Sequence, residues 1–333
     1  MTSSGEIDSY KNLGPNEIIV AIENQGFNCD GHIFALNSYE NRVYQIGIED
    51  NEPIVAKFYR PSRWSDAAIL EEHQFTNELA EYEIPVIAPI VNNKGTSLYK
   101  HSDYRFSLFP RRGGRPPELE NPEHLIQLGR FIARMHNVAA SREYKNRPTI
   151  DIQSYGIDSY QYLLVNRFIP VELENTYQTV AEDIIQRIHW CYERAGQVNN
   201  IRLHGDCHHS NILWRDDTFF ILDFDDARMG PAIQDLWMFL SGDRNYMTAR
   251  LSELLEGYSE FRSFDARELY LVEALRTLRL LHYSAWIARR WDDPAFPIAF
   301  PHFNTQQYWE DHILVLREQA ALMDEPPLEW MQD

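Results

Sequence analysis

The sequence predicts an α+β protein in which a small antiparallel-sheet lobe precedes a larger, mainly helical lobe. Three observations carry this. Residues 30–60 and 84–110 are rich in β-type residues, with one helical stretch between them. The run Pro110-Arg111-Arg112-Gly113-Gly114-Arg115-Pro116-Pro117 is the clearest break in the chain. Beyond it, apolar residues recur mostly at helical spacing. The expected division is therefore 1–110 and 111–333.

The elements follow in order. Asn37-Ser38-Tyr39-Glu40-Asn41 reads as a turn between strands at 33–36 and 42–48. Residues 54–59 form a third strand, stopped by Pro61. Ser65 caps a helix over about 66–82, and strands are expected at 86–91 and 104–109. After the break, Asn121-Pro122-Glu123 has a capping residue, proline at the first helical position and an acid in the first turn. Leu125, Leu128, Ile132 and Met135 continue that helix to His136. Further helices are expected near 177–195, 232–241 and 266–290. Gly113 and Gly114 read as a flexible link between the lobes.

Composition narrows the class. With 44% hydrophobic and 24% charged residues, 333 residues suffice for a real core. No apolar run approaches the ~20 residues of a membrane helix, so no membrane partner is expected. Met1-Thr2-Ser3-Ser4-Gly5-Glu6 lacks the basic start and apolar stretch of a signal peptide. Cys29, Cys191 and Cys207 are scattered and lack metal spacing, which suits reduced thiols in a cytoplasm. A net charge of −19 argues against a nucleic-acid partner and fits a soluble monomer or a protein whose macromolecular partners are basic.

The chemistry concentrates in Leu203-His204-Gly205-Asp206-Cys207-His208-His209-Ser210-Asn211, followed by Asp223-Phe224-Asp225-Asp226. Arg215-Asp216-Asp217-Thr218 separates the apolar runs 212–214 and 219–222, which reads as a hairpin. A hairpin symmetric about Asp216 and Asp217 places Asn211 almost opposite Asp223. One carboxamide and one carboxylate suit Mg²⁺ shared with phosphate oxygens. Asp206, in a loop after a strand, is placed to accept a hydrogen bond and a proton from an acceptor hydroxyl. Taken singly, Asp206 and Asp223 read first as loop residues capping neighbouring backbone N–H groups; their combined spacing favours the site. Asp225 and Asp226 read as second-metal, supporting or solvated carboxylates, and Asp235 as a brace for the loop. Cys207 reads as a buried filler.

Lys57 shares a half-buried strand face with Val55 and Tyr59, a costly place for an ammonium that meets no anion. Nucleotide phosphates supply one, with a helix glutamate as positioning partner. At 100° per residue Ala68, Phe75 and Leu79 lie within about 60° of Glu72, whereas Glu71 points aside. Glu72 is therefore the partner chosen. Ser38 and backbone N–H groups of its turn could lie over the phosphates, although the turn has no glycine. A zinc site in the histidine run is disfavoured, because Gly205 breaks the helix His204 and His208 would need.

His204-Gly205-Asp206 through Asn211, with Asp223-Phe224-Asp225, resembles the phosphotransfer signature of the aminoglycoside-phosphotransferase and choline-kinase-like superfamily. The helix carrying Leu128-Gly129-Arg130-Phe131-Ile132-Ala133-Arg134-Met135-His136 is similar to that superfamily's first large-lobe helix. The stretches 36–45, 55–61 and 225–237 resemble a bacterial serine/threonine protein-kinase branch of it that acts in stress responses. The resemblance implies a two-lobed, protein-kinase-like fold, with ATP as co-substrate and Mg²⁺ as cofactor. It implies Asp206 as proton acceptor, Asn211 and Asp223 as metal ligands, and Ser38, Lys57 and Glu72 at the nucleotide. The activity it implies is transfer of the γ-phosphoryl group to Ser/Thr hydroxyls of proteins, the enzyme included. The alternatives are a small-molecule kinase for an amino alcohol, sugar or homoserine-like hydroxyl, and a nucleotide-binding regulatory module without turnover.

Overall fold

The computed structural model describes residue 10 and residues 12–330. The N-terminal stretch read against a signal peptide lies outside the described residues. The chain forms two compact units. The first comprises the described residues up to Pro117, with Tyr144–Arg147 and Ser210–Asp226; the second comprises Glu118–Glu143, Pro148–His209 and the described residues from Ala227.

In the first unit, α1 (Pro15–Glu23) precedes β1 (Cys29–Leu36), β2 (Arg42–Ile48) and β3 (Asn51–Phe58). α2 (Asp66–Glu81), β4 (Tyr99–His101) and β5 (Tyr104–Pro110) follow. The five strands form one antiparallel sheet in the order β1-β2-β3-β5-β4, which puts β3 at its centre. Period-two alternation sorts its side chains. Ile46, Ile54, Ala56, Phe58, Phe106 and Leu108 turn to one core with Ile18, Ala21 and Ile22 of α1. Val43 lies opposite Lys57, and Val55 opposite Phe109, so these four share a face. Ser65 caps α2 by accepting from the Ala68 N–H at 3.1 Å.

The hairpin β7 (Ile212–Arg215) and β8 (Thr218–Ile221) belongs to this first unit. Its register pairs Ile212 with Ile221 and Arg215 with Thr218. Asp216 and Asp217 carry φ of 51° and 56°, the left-handed pair that a two-residue hairpin turn requires. The hairpin docks through Ile221, whose N–H donates to Pro85 O while its own carbonyl accepts from Ile87 N. Arg115 and Trp214 exchange both backbone hydrogen bonds, at 3.0 and 2.7 Å. The division expected at residue 110 therefore falls at 117, and a piece of later sequence completes the first unit. For the same reason Gly114 is packed against the hairpin rather than part of a flexible link. A Cβ at Gly114 would come within 2.9 Å of Leu213 Cβ, so glycine is what lets this segment lie against β7.

In the second unit, α3 (Pro122–Ala139), α4 (Asp158–Val165) and α5 (Val171–Ala195) precede β6 (Asn200–Leu203) and β9 (Arg228–Pro231). β6 and β9 pair antiparallel. Then come α6 (Arg244–Ser259), α7 (Val272–Ala288), α8 (Ala295–Ala299) and α9 (Gln306–Asp324). The Asn121 side chain caps α3, accepting from Glu123 N at 3.1 Å, with Pro122 at the first helical position. α3 packs on α6 so closely that a Cβ at Gly129 or Gly257 would collide with the carbonyl of Leu254 or Ile126.

Three expected elements differ. Residues 86–91 make an isolated bridge rather than a strand, because Pro85 and Pro89 remove two ladder donors. The helix expected over 232–241 is two short 3₁₀ turns, Ala232–Asp235 and Trp237–Phe239. Its Ile233 N–H is taken by the Glu268 carboxylate at 2.8 Å, and Asp235 turns its own carboxylate to another loop. The helix expected over 266–290 begins as a 3₁₀ turn and becomes α-helical only from Val272.

Candidate active site

A cavity of about 240 Å³ opens in the first unit against the Lys57 face of the sheet. Leu36, Val43, Val55 and Phe109 form one wall; Ile87, Leu213 and Leu222 contribute further apolar surface. Ser38, Lys57 and Asp223 supply polar groups. An apolar slot with a few placed charges suits a planar base continued by an anionic tail.

Lys57 is 7% exposed. Its Nζ donates to Asp223 Oδ1 at 2.7 Å and lies 3.5 Å from Asp225 Oδ1. Burial disfavours the ammonium, yet Asp223 and then Asp225 outweigh it and raise its pKa well above the usual lysine value. Asp223 has φ of 62°, an uncommon conformation for a non-glycine residue that turns its side chain toward Lys57. Asn211, just before β7, accepts from Leu222 N through its backbone carbonyl at 3.0 Å. The hairpin thus holds Asn211 and Asp223 at its two open ends, as its symmetry predicts. Ser38 lines the same cavity, and its Oγ accepts from Asn41 N at 3.3 Å.

Glu72 is buried, as its phase on α2 predicts, but the ion pair expected with Lys57 is not formed. Lys57 is engaged by Asp223 and Asp225 instead. Glu72 Oε2 has no hydrogen-bond partner among the described residues, and burial pushes its carboxyl up to about 7 against the pull of Lys57 and Arg147. Glu71, which points aside, accepts from the backbone N–H groups of Lys145, Asn146 and Arg147 at 2.8, 2.8 and 3.2 Å.

Asp225 is the hub that sequence reasoning left open. Its Oδ2 accepts from Asn41 Nδ2 at 3.1 Å and from Arg63 Nη1. Arg63 also reaches Asp226 Oδ1 at 2.7 Å, and Arg147 Nη1 donates to the Asp225 carbonyl at 2.8 Å. Burial raises the Asp225 carboxyl, but Arg63 and Lys57 overcome this and hold it below the ordinary value. Asn41 Oδ1 in turn accepts from Arg60 N at 3.0 Å. The Ser38 turn and the Asp223–Asp226 segment are thereby tied together. Arg63 was missed because Asp225 and Asp226, the carboxylates it hydrogen-bonds, lie more than 160 positions away.

In the second unit, β6 delivers the His204–His208 loop. Asp235 braces it, accepting from His204 N at 2.8 Å and Gly205 N at 2.9 Å. Asp235 is itself met by His136 Nε2 at 3.3 Å, and His136 Nδ1 lies 2.9 Å from Tyr258 OH. Gln234 Nε2 donates to Gly205 O at 3.1 Å. Asp206 N–H donates to His204 Nδ1 at 3.2 Å. The Asp206 carboxylate carries Arg279 Nη1 on Oδ1 at 2.6 Å and His208 Nε2 on Oδ2 at 3.3 Å. Arg279, on α7, is a second residue that reading of the sequence did not find. Cys207 is fully buried, and burial raises its thiol well above the usual value.

A strand lysine, a metal-type Asp–Asn pair and a braced loop aspartate are the parts from which kinase-class enzymes build phosphoryl transfer. The model of the phosphotransferase enzyme family matches residues 33–298, and the chain belongs to that family. Along 96% of its length it is 42% identical to stress response kinase A of Escherichia coli O157:H7, covering 97% of that protein. It is 41% identical, at the same coverage of both chains, to serine/threonine protein kinase RdoA of Salmonella typhimurium. Among solved structures, the amicoumacin kinase hAmiN in complex with AMP-PNP, Ca²⁺ and its ligand aligns with a TM-score of 0.70 at 20% identity. That alignment covers 94% of this chain and 95% of the other. A spectinomycin phosphotransferase aligns with a TM-score of 0.66 at 14% identity, over 93% and 98%. These last two establish the α+β fold. No helix among the described residues is long and apolar enough to cross a membrane.

Proposed function

We propose that this phosphotransferase moves the γ-phosphoryl group of ATP to Ser/Thr hydroxyls of proteins, its own included, as a cytoplasmic monomer in a stress response. The observation that carries the reading is the Lys57–Asp223 pair at 2.7 Å in an otherwise largely apolar cavity. Each charge is held by the other, and each matches one component of a metal–triphosphate. The names of the relatives at 41–42% identity support the protein acceptor.

Lys57 receives phosphate oxygens, and the Ser38 turn, held by Asn41 and Arg60, lies at the same cavity. The oxygen donors of Asn211 and Asp223, one neutral and one charged, fit Mg²⁺, which neutralises phosphate charge when bound. Asp206 accepts the hydroxyl hydrogen bond and takes the proton as the new O–P bond forms. Asp235 keeps that loop from drifting, so the contribution of the protein is positioning and charge rather than covalent chemistry.

Incubation with labelled ATP and Mg²⁺, alone and with added protein, tests this beside a panel of amino alcohols, sugars and homoserine. Label on serine or threonine of protein is the expected result. Label confined to the small alcohols would overturn the acceptor assignment. Nucleotide binding with no transfer at all would leave the regulatory-module reading standing instead.

A further inference from the structure

Two arginines on α7 hold the Asp206 loop at two points. Arg276 and Arg279 stand at i and i+3, neighbours on the helix surface. Leu275, Leu278 and Leu281 around them are buried, so the helix that carries both is fixed in the core. The Arg276 guanidinium lies over the Trp237 ring at 4.9 Å, and its Nη2 donates to Leu240 O at 3.1 Å. Trp237 Nε1 donates to Gln234 Oε1 at 3.0 Å, and Gln234 Nε2 donates to Gly205 O at 3.1 Å. Arg279 reaches the next residue directly, with Nη1 2.6 Å from Asp206 Oδ1. The path from α7 through Arg276, Trp237, Gln234, Gly205, Asp206 and Arg279 therefore returns to α7.

The contacts differ in what they hold. Asp235 and Gln234 bind the backbone of His204 and Gly205. Backbone bonds do not by themselves set the rotamer of the Asp206 carboxylate. Arg279 meets the carboxylate itself on Oδ1, and His208 Nε2 meets Oδ2 at the longer distance of 3.3 Å. The run His204–Asn211 contains no lysine or arginine, so this cation has to come from another element. The side chains of Arg279 and Asp206 are 40% and 21% exposed. An ion pair this open to water adds little to stability. Its consequence is geometric, because a proton acceptor works only with its oxygen within hydrogen-bond reach of the hydroxyl.

We propose that Arg279 is a positioning residue for transfer: by holding Oδ1 it presents the Asp206 carboxylate in the orientation that receives the acceptor hydroxyl. In that step the hydroxyl oxygen bonds to phosphorus, and the bond to the ADP oxygen breaks with its electron pair leaving on ADP. The hydroxyl proton passes to Asp206. Arg279 touches none of the reacting atoms. The proposal rests on Asp206 as the proton acceptor and adds what aims it.

A double-mutant cycle of Arg279→Met and Asp206→Asn tests this, with labelled ATP and Mg²⁺ and whichever acceptor the unaltered chain labels. ATP affinity and circular dichroism in the same samples report folding, and Arg279→Gln repeats the cycle should methionine loosen α7. Arg279→Met should lower kcat about 10- to 100-fold and leave KM for ATP within about twofold. Arg279→Lys, which keeps a cation, should recover most of the loss. The double variant should be no slower than Asp206→Asn alone, because no carboxylate is left to aim. Losses that multiply would make Arg279 independent of Asp206, and a faster Arg279→Met variant would make it a block on the acceptor. Either result, or an Arg279→Met variant at the full rate, overturns the positioning role alone. Full transfer by Asp206→Asn overturns the proton-acceptor assignment and the positioning role with it.

Discussion

Lys57 Nζ and Asp223 Oδ1 lie 2.7 Å apart, joining the central strand of the five-stranded sheet to the segment that follows the β7–β8 hairpin. The pair makes both residues sensitive to the same ligand. Replacing Asp223 by alanine should abolish Mg²⁺-dependent nucleotide binding in calorimetry; unchanged affinity would remove Asp223 from the metal site. Lys57→Met should weaken nucleotide binding and also destabilise the first unit, because it leaves Asp225 buried with one cation fewer.

Arg63 should prove structural in a way its surface-type chemistry does not suggest. It pairs with Asp225 and Asp226, and Asp225 is 5% exposed. Arg63→Leu leaves that carboxylate without its strongest partner, a loss of about 3–5 kcal/mol by the usual cost of breaking a buried pair. Urea unfolding reads this directly. Arg63→Leu combined with Asp225→Asn should recover part of the loss, since no uncompensated charge then remains buried.

Glu72 sets a pH dependence whose sign follows from its raised carboxyl. The folded protein holds this proton up to about 7, whereas the unfolded chain releases it near the ordinary value of 4.5. Between those values the folded state binds more protons, so the contribution of Glu72 to stability is full at low pH and is lost as pH rises through the window. His73, which burial pushes down to about 3, works in the opposite direction over an overlapping range. The Glu72→Gln variant isolates the first effect. Relative to it, the unaltered protein should lose about 3 kcal/mol between pH 4 and 8. A constant difference across that range would show that Glu72 titrates alike in the folded and unfolded chain and that burial does not raise its carboxyl.

Asp235 should act on turnover without touching substrate. Its carboxylate holds His204 N and Gly205 N, two charge-assisted bonds of about 1.5–3 kcal/mol each. Asp235→Ala should therefore lower stability by several kcal/mol and kcat by more than it raises KM for ATP. A fall in kcat no larger than the fall in folded fraction, read by circular dichroism in the same samples, would point to general unfolding instead.

Much of the candidate site's placement was legible because its geometry is local. The turn residues Asp216 and Asp217 set the hairpin register and with it the places of Asn211 and Asp223. Helical phase alone separated buried Glu72 from Glu71. Period two put Lys57 on the face that lines the cavity. What escaped depends on contacts between distant parts of the chain. Nothing near Arg63 announces Asp225, and nothing near Arg279 announces Asp206. The apolar run 232–241 has helical periodicity, but Ile233 N is claimed by Glu268 and the Asp235 carboxylate by the His204 loop, so tertiary bonds displaced the helix. The partner of Lys57 was misjudged for a related reason: Asp223 and Asp225 reach it from a hairpin that belongs with the sheet, a grouping that linear order conceals.

Substitution of Asp206 by asparagine reaches the central claim most directly. The amide keeps size and polarity but cannot accept the hydroxyl proton. The variant should bind ATP with Mg²⁺ as the unaltered protein does, while transfer to protein falls at least about 100-fold. Transfer at the full rate by that variant would contradict the account.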